Sequence, residues 1–206
     1  MPDTLWRGPD RLVLASGSMT RFKLLASTGI GVEVVAPDID ERGLEAQAAA
    51  AGAGAAEIAR RLACEKALAG SRARPGRVVL GADQTLEVEG ELLHKPADLE
   101  AARAQIARLS GRTHALHAGF ALVQDGTVVH ADVASARLTM RVLGPEAIDH
   151  YLRLAGEAAT GSVGAYQVEG VGIHLFERIE GEHSAILGLP LLPLLAALRA
   201  MRLLAL

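Results

Sequence analysis

Asp125-Gly126 stands between two long stretches, residues 115–124 and 127–142, in which apolar and polar side chains alternate. A period of two is the geometry of a strand. Asp-Gly is a strong signal for a two-residue type I′ turn, because both central residues need positive φ. The two stretches are therefore predicted to form one long antiparallel hairpin. A sheet that contains it cannot be purely parallel.

Around this hairpin, apolar runs alternate with helix-patterned segments. Residues 11–15, RLVLA, read as a buried strand, followed by the polar SGSMTR and by a helix, RFKLLASTG, that Gly29 ends. Residues 32–36 read as a second strand, closed by Pro37. The alanine- and glycine-rich stretch from Gly43 to Gly54 fits either a helix or a loop. Ile58, Leu62 and Ala69 mark one side of a helix over 55–70. RVVLGA at 77–82 is an apolar strand, and 85–93 forms a hairpin turning at Glu89-Gly90.

Asp98 caps a helix whose Leu99, Ala102, Ile106 and Leu109 share a face, with Gly111 at its end. Pro145 opens another, with Ile148, Tyr151 and Leu152 inward. Residues 170–181 read as a strand with glycines at its entry. The greasiest stretch, 185–198, is too short to span a bilayer and carries Pro190 and Pro193. It reads as a buried strand end followed by a core helix, the last helix covering 190–203. No repeat and no long linker interrupts the chain, so residues 1–206 are expected to form a single α/β or α+β domain with a mixed sheet.

Composition excludes several function classes. Half of the 206 residues are apolar, 22% are charged and the net charge is −3, with no run of Lys or Arg. That is a globular composition without a basic footprint for nucleic acid. The N-terminal MPDTLWRGPD has no apolar signal core, and no membrane segment is expected. The single cysteine, Cys64, rules out an intrachain disulfide and fits a reducing, cytoplasmic setting. It lies in an alanine-rich helical stretch and reads as a small core residue rather than a nucleophile.

Five constellations carry chemistry. Ser16-Gly17-Ser18-Met19-Thr20-Arg21 lies between a strand and a helix, where free N–H groups, two hydroxyls and an arginine would cradle a phosphate. The alternative is a helix cap with a surface arginine, and no P-loop pattern is present. Asp38-Ile39-Asp40-Glu41 offers carboxylates to a hard cation, or forms a solvated turn. In Gly81-Ala82-Asp83-Gln84 an apolar strand runs straight into a carboxylate, which must pair, bind metal or do chemistry unless it simply closes the strand. Gly81 lets another backbone or a ligand come close. Lys95 and Lys66 are surface lysines taken singly; with Arg21 they would neutralise a polyphosphate. The glycine-rich stretch from Gly164 to Gly172 would line a flat base, with Glu169 accepting its N–H groups, or be an ordinary turn. His114 and His117 have metal-type spacing but no third ligand, and read as structural.

In collinear order these segments resemble the Maf family of nucleotide pyrophosphatases, also called septum-formation-inhibitor-like proteins. The matching stretches are LVLASGSMTRFKLLASTGI at 12–30, DIDE at 38–41, CEKA at 64–67, VVLGADQTLEVEGELLHKPAD at 78–98, LSGRTH at 109–114 and GAYQVEGVGIHLFERIEGEHSAILGLPL at 164–191. The resemblance implies an α/β fold, a mixed twisted sheet flanked by helices, with two lobes around a deep cleft. It implies hydrolysis of the α–β phosphoanhydride of a nucleoside triphosphate to the monophosphate and pyrophosphate, in a house-cleaning role.

Carried over residue by residue, the resemblance makes Asp83 the proton acceptor and Ser16, Ser18, Arg21, Lys66 and Lys95 the substrate-binding set. The family's glutamate after the second strand falls on Glu41, and on chemical grounds Glu41 and Asp83 are expected to hold a divalent cation, Mg²⁺ or Mn²⁺. Thr20, Gln84 and Glu169 fall on the positions tied to base choice. Gln84 and Glu169 match the 7-methyl-GTP branch, whereas Thr20 replaces a frequent aromatic and Gly161-Ser162-Val163-Gly164 departs from the family's DKAG stretch. Two other outcomes are a dTTP- or UTP-preferring enzyme and a non-catalytic nucleotide-binding regulator of cell division. A homodimer is compatible with all three.

Overall fold

The computed structural model describes residues 5–206. Its centre is a seven-stranded mixed sheet in the order β2-β1-β3-β5-β6-β7, with β4 beside β3. The strands are β1 (Leu12–Ala15), β2 (Val32–Val35), β3 (Val78–Val88), β4 (Glu91–Leu93), β5 (Thr113–Gln124), β6 (Thr127–Met140) and β7 (Phe176–Glu180). β1 runs parallel to β2 and β3, and every other pairing is antiparallel. The β5–β6 hairpin turns at Asp125-Gly126 with φ of 50° and 73°, as its sequence requires.

Among the described residues, seven α-helices flank the sheet: α1 (Met19–Ser27), α2 (Glu41–Ala50), α3 (Ala55–Ala73), α4 (Leu99–Leu109), α5 (Pro145–Ala155), α6 (His183–Ile186) and α7 (Leu191–Ala200). The stretch left open at 43–54 is thus mostly helical, capped by the Asp40 side chain accepting from Gly43 N–H. Asp98 caps α4 as expected, but Leu99 is 46% exposed, so the buried face is Ala102, Ile106 and Leu109. No helix among the described residues is long and apolar enough to cross a membrane.

Three predicted elements differ. β3 does not stop at residue 82 but continues through Val88, because β5 pairs with it along its length. The predicted strand at 170–181 begins only at Phe176, with a 3₁₀ turn at Val171–Leu175. β6 offers partners only from Arg137 to Met140, and a Cβ on Gly172 would collide with the Gln167 carbonyl oxygen, so this segment is folded onto its own chain rather than extended. The predicted strand end at 185 is the short helix α6, and α7 starts directly after Pro190.

Alternation along β3 sorts its environment. Even positions face two apolar cores: Leu80 and Ala82 join Leu12, Leu14, Phe120 and Leu198, while Leu86 and Val88 join Ile106, Leu109, Leu138 and Tyr151. Odd positions face α3, which lies very close. A Cβ on Gly81 would collide with the Ala63 carbonyl oxygen, and one on Gly119 would meet that of Ala59 at 2.6 Å. The close approach predicted at Gly81 is therefore made by helix backbone. Between the two cores, opposite residues 82–85, β3 has no strand neighbour on one side. β1 pairs with it only up to Gly81, and β4 only from Leu86. This interval opens a notch in the sheet.

Candidate active site

The notch is the floor of a cleft of about 910 Å³, lined among others by Ser16, Glu41, Lys66, Asp83, Gln84 and Lys95. Asp83 lies in the middle of β3, not at a strand end as the sequence suggested, and is paired with Gly119 of β5. A carboxylate in mid-strand needs a partner, and α3 supplies it. Lys66 Nζ donates to Asp83 Oδ1 at 2.5 Å and lies 3.0 Å from Glu41 Oε1, at the start of α2. Lys66 is only 5% exposed and Asp83 7%. Three elements distant in sequence thus bring one ammonium and two carboxylates together. Asp83 Oδ2 accepts no hydrogen bond from a described residue and is left open to the cleft.

The carboxylates of 38–41 divide their roles. Asp40 caps α2 and Asp38 is exposed, so Glu41 is the member that reaches Lys66. Among the described residues no three His, Cys, Asp or Glu side chains converge as a metal site.

On the other wall, Ser18 caps α1 by accepting from Arg21 N–H, and buried Ser16 accepts from Ser18 N–H at 3.3 Å. α1 begins at Met19, two residues earlier than predicted, because Ser18 takes the cap position. Arg21 donates Nη1 to Ser16 Oγ and to Ala82 O, both at 3.0 Å, and Nε to Gly188 O at 2.9 Å. Burial lowers its pKa while the Asp83 and Glu41 carboxylates raise it. The guanidinium ties α1, β3 and the α6–α7 turn together at the rim of the cleft. Lys95 is exposed, and no described residue forms an ion pair with it.

An adjoining cavity is lined by Thr20, Gln84, Tyr166, Gln167, Glu169 and Ile186. The three residues singled out for base choice are therefore in one place, although they come from α1, β3 and the loop after α5. Gln84 Nε2 donates to Ala185 O at 3.0 Å and to Ile186 O at 2.9 Å. Tyr166 OH is bonded to His114 Nε2 at 2.6 Å, and Tyr151 OH donates to Ala165 O at 2.9 Å. His114 is thus a structural residue, its pKa pushed down to about 4 by burial. His117 Nδ1 bonds Ser135 Oγ at 2.7 Å, and its Nε2 lies 3.6 Å from Glu87 Oε2. Cys64 is half-buried beside Ala63 and Ala67, and burial raises its thiol pKa.

Residues 11–201 match the Maf-like protein family. The chain belongs to the Maf family.

A protein of Nitrobacter winogradskyi named nucleoside triphosphate pyrophosphatase is 56% identical over 202 residues, covering 98% of this chain and 99% of its own length. A protein of Mesorhizobium japonicum named 7-methyl-GTP pyrophosphatase is 50% identical over 192 residues, covering 93% of this chain and 96% of its own. The solved Ham1 protein of Staphylococcus aureus overlays with a TM-score of 0.41 and 16% identity, over 65% of this chain and 72% of that one.

Within this Maf chain, the sequence reading missed the α6–α7 turn, which reaches both Arg21 and Gln84. Its contribution is made by main-chain carbonyls, which no side-chain pattern reports. The one available signal was Gly188, whose φ of +94° suits glycine.

Proposed function

We propose that this chain hydrolyses the α–β phosphoanhydride bond of a nucleoside triphosphate, releasing the monophosphate and pyrophosphate. The observation that carries this is the Lys66–Asp83–Glu41 cluster on the floor of a cleft whose opposite wall is the N-terminus of α1. The names of the relatives from Nitrobacter winogradskyi and Mesorhizobium japonicum support it.

The chemistry asks for an in-line water and a neutralised leaving group. Asp83 Oδ2 takes the proton of the attacking water as its oxygen bonds to the α-phosphorus, and the bridging oxygen departs with pyrophosphate. Lys66 holds Asp83 by its other oxygen, which fixes the direction of the free one. Ser16, Ser18 and the first-turn N–H groups of α1 orient the phosphates, and Arg21 and Lys95 offset their charge.

Glu41 and Asp83 suit a hard divalent cation, Mg²⁺ or Mn²⁺. Both are oxygen donors, both already reach one cationic group, and Mg²⁺ typically takes one or two carboxylates plus phosphate oxygens. When bound, such an ion supplies further charge neutralisation on the phosphate oxygens.

Thr20, Gln84 and Glu169 contact the base in the adjoining cavity. The Mesorhizobium relative's name makes 7-methyl-GTP the first substrate to try. The test is a screen of standard and modified nucleoside triphosphates with Mg²⁺, Mn²⁺ and Co²⁺, scored by pyrophosphate release and repeated after chelation. No pyrophosphate from any nucleotide under any metal would leave a nucleotide-binding regulator in its place.

A further inference from the structure

The turn between α6 and α7 is held from both ends. Glu182 Oε1 accepts from Leu192 N–H at 3.1 Å and from the Ser184 hydroxyl, and Ser184 Oγ in turn accepts from Leu191 N–H at 2.9 Å. These two side chains satisfy first-turn amides of α7, whose own cap residue, Pro190, offers no side-chain acceptor. The turn they fasten presents carbonyls of Ala185 and Ile186 to Gln84 Nε2, and that of Gly188 to Arg21 Nε. Gly188 is buried, and a Cβ there would lie 3.3 Å from Arg21 Nε and 3.5 Å from Gln84 Oε1.

A glutamine amide has two donor hydrogens and one acceptor oxygen. With both hydrogens given to Ala185 and Ile186, only Oε1 remains for a ligand. Glu169, exposed in the same cavity, is an acceptor as well.

We propose that the α6–α7 turn is the specificity-setting element of this cavity. It fixes Gln84 as an acceptor, so that with Glu169 the cavity selects nucleobases with N–H donors on neighbouring atoms of one edge. A lactam N–H beside an exocyclic amine has that pattern, whereas an edge that places a ring-nitrogen acceptor beside an amine does not. Glu182 and Ser184 are positioning residues in this scheme. The inference rests on the reading of the cavity as the base site.

The test compares guanine with adenine nucleotides, in kcat/KM for the triphosphates and in calorimetric affinity for GMP and AMP. Wild type is expected to favour guanine about tenfold or more, since a site built to pair with N–H groups rejects an edge that lacks them. Ser184→Ala, and Glu182→Ala as the second variant should the first not fold, are expected to bring the ratio to within about threefold. Gln84→Met is expected to do the same. A weaker grip on phosphate through Arg21 lowers both nucleotides alike and cancels in the ratio.

A ratio unchanged in Glu182→Ala and Ser184→Ala overturns the inference. So do equal wild-type affinities for GMP and AMP, or binding of neither. Failure of the hydrolase reading looks different: GMP is preferred over AMP while no triphosphate yields pyrophosphate.

Discussion

Lys66 Nζ stands 2.5 Å from Asp83 Oδ1, joining the middle of α3 to the middle of β3. Both side chains are largely buried, so the paired Nζ and Oδ1 depend on each other, while Asp83 Oδ2 stays open to the cleft. Glu41, from α2, completes the cluster at 3.0 Å.

Asp83→Asn keeps the shape and the hydrogen-bonding reach of the side chain but removes the proton acceptor. Turnover is expected to fall by at least about a hundredfold, the usual scale for a lost general base. Glu41 still pairs with Lys66, so the far-ultraviolet circular dichroism should match wild type. Near-normal kcat in a folded variant would remove Asp83 from the chemistry.

Lys66→Met leaves the Asp83 and Glu41 carboxylates without the ammonium that joins them. Their mutual repulsion makes a divalent cation a better guest. Mg²⁺ is expected to raise the melting temperature of this variant more than that of wild type, while turnover drops about a hundredfold because Asp83 is no longer held in direction. Thermal melts with and without Mg²⁺ check the first part, and a melting temperature indifferent to Mg²⁺ would contradict it.

Gly81→Ala places a methyl group against the Ala63 carbonyl oxygen of α3, which is backbone and cannot rotate away. The helix must lift from the sheet, at a cost of about 3 kcal/mol. Urea unfolding measures it. A variant as stable as wild type would mean that the helix sits further from β3 than described.

Burial holds His114 neutral, with a pKa near 4, against an ordinary value of 6.5. Below pH 6.5 the unfolded chain takes up a proton there that the folded chain refuses. Stability therefore falls as pH drops from 6.5 toward 4 and levels off below that. Between pH 6.5 and 5 the loss is on the order of 2 kcal/mol. His114→Gln should flatten this part of the curve; an identical slope in the variant would place the effect elsewhere.

Much of the fold was legible because its signals are local. Asp125-Gly126 fixes its hairpin through turn chemistry, Asp98 caps α4 and Pro145 opens α5, each within a few residues of the sequence that dictates it. The course of β3 was not legible. Asp83-Gln84 looks like the polar end of an apolar run, and the strand continues only because Lys66 neutralises the aspartate and β5 supplies partners throughout. The site residues were nameable from the collinear motifs, yet spacing alone left each of them with an ordinary reading. Their convergence depends on α2, α3 and β3 meeting at the notch. The α6–α7 turn left no mark beyond Gly188, since what it offers is peptide carbonyls.

The placement of Asp83 and Gln84 on successive residues of β3 has a consequence for how such a chain tolerates change. Odd positions look toward α3 and even ones toward the two cores, so inserting or deleting one residue between Val78 and Ala82 would send the acid to the amide's side and the amide to the acid's. Drift in length, harmless in most surface loops, is forbidden here: the roles proposed for Asp83 and Gln84 would be locked in step by the pleat of a single strand.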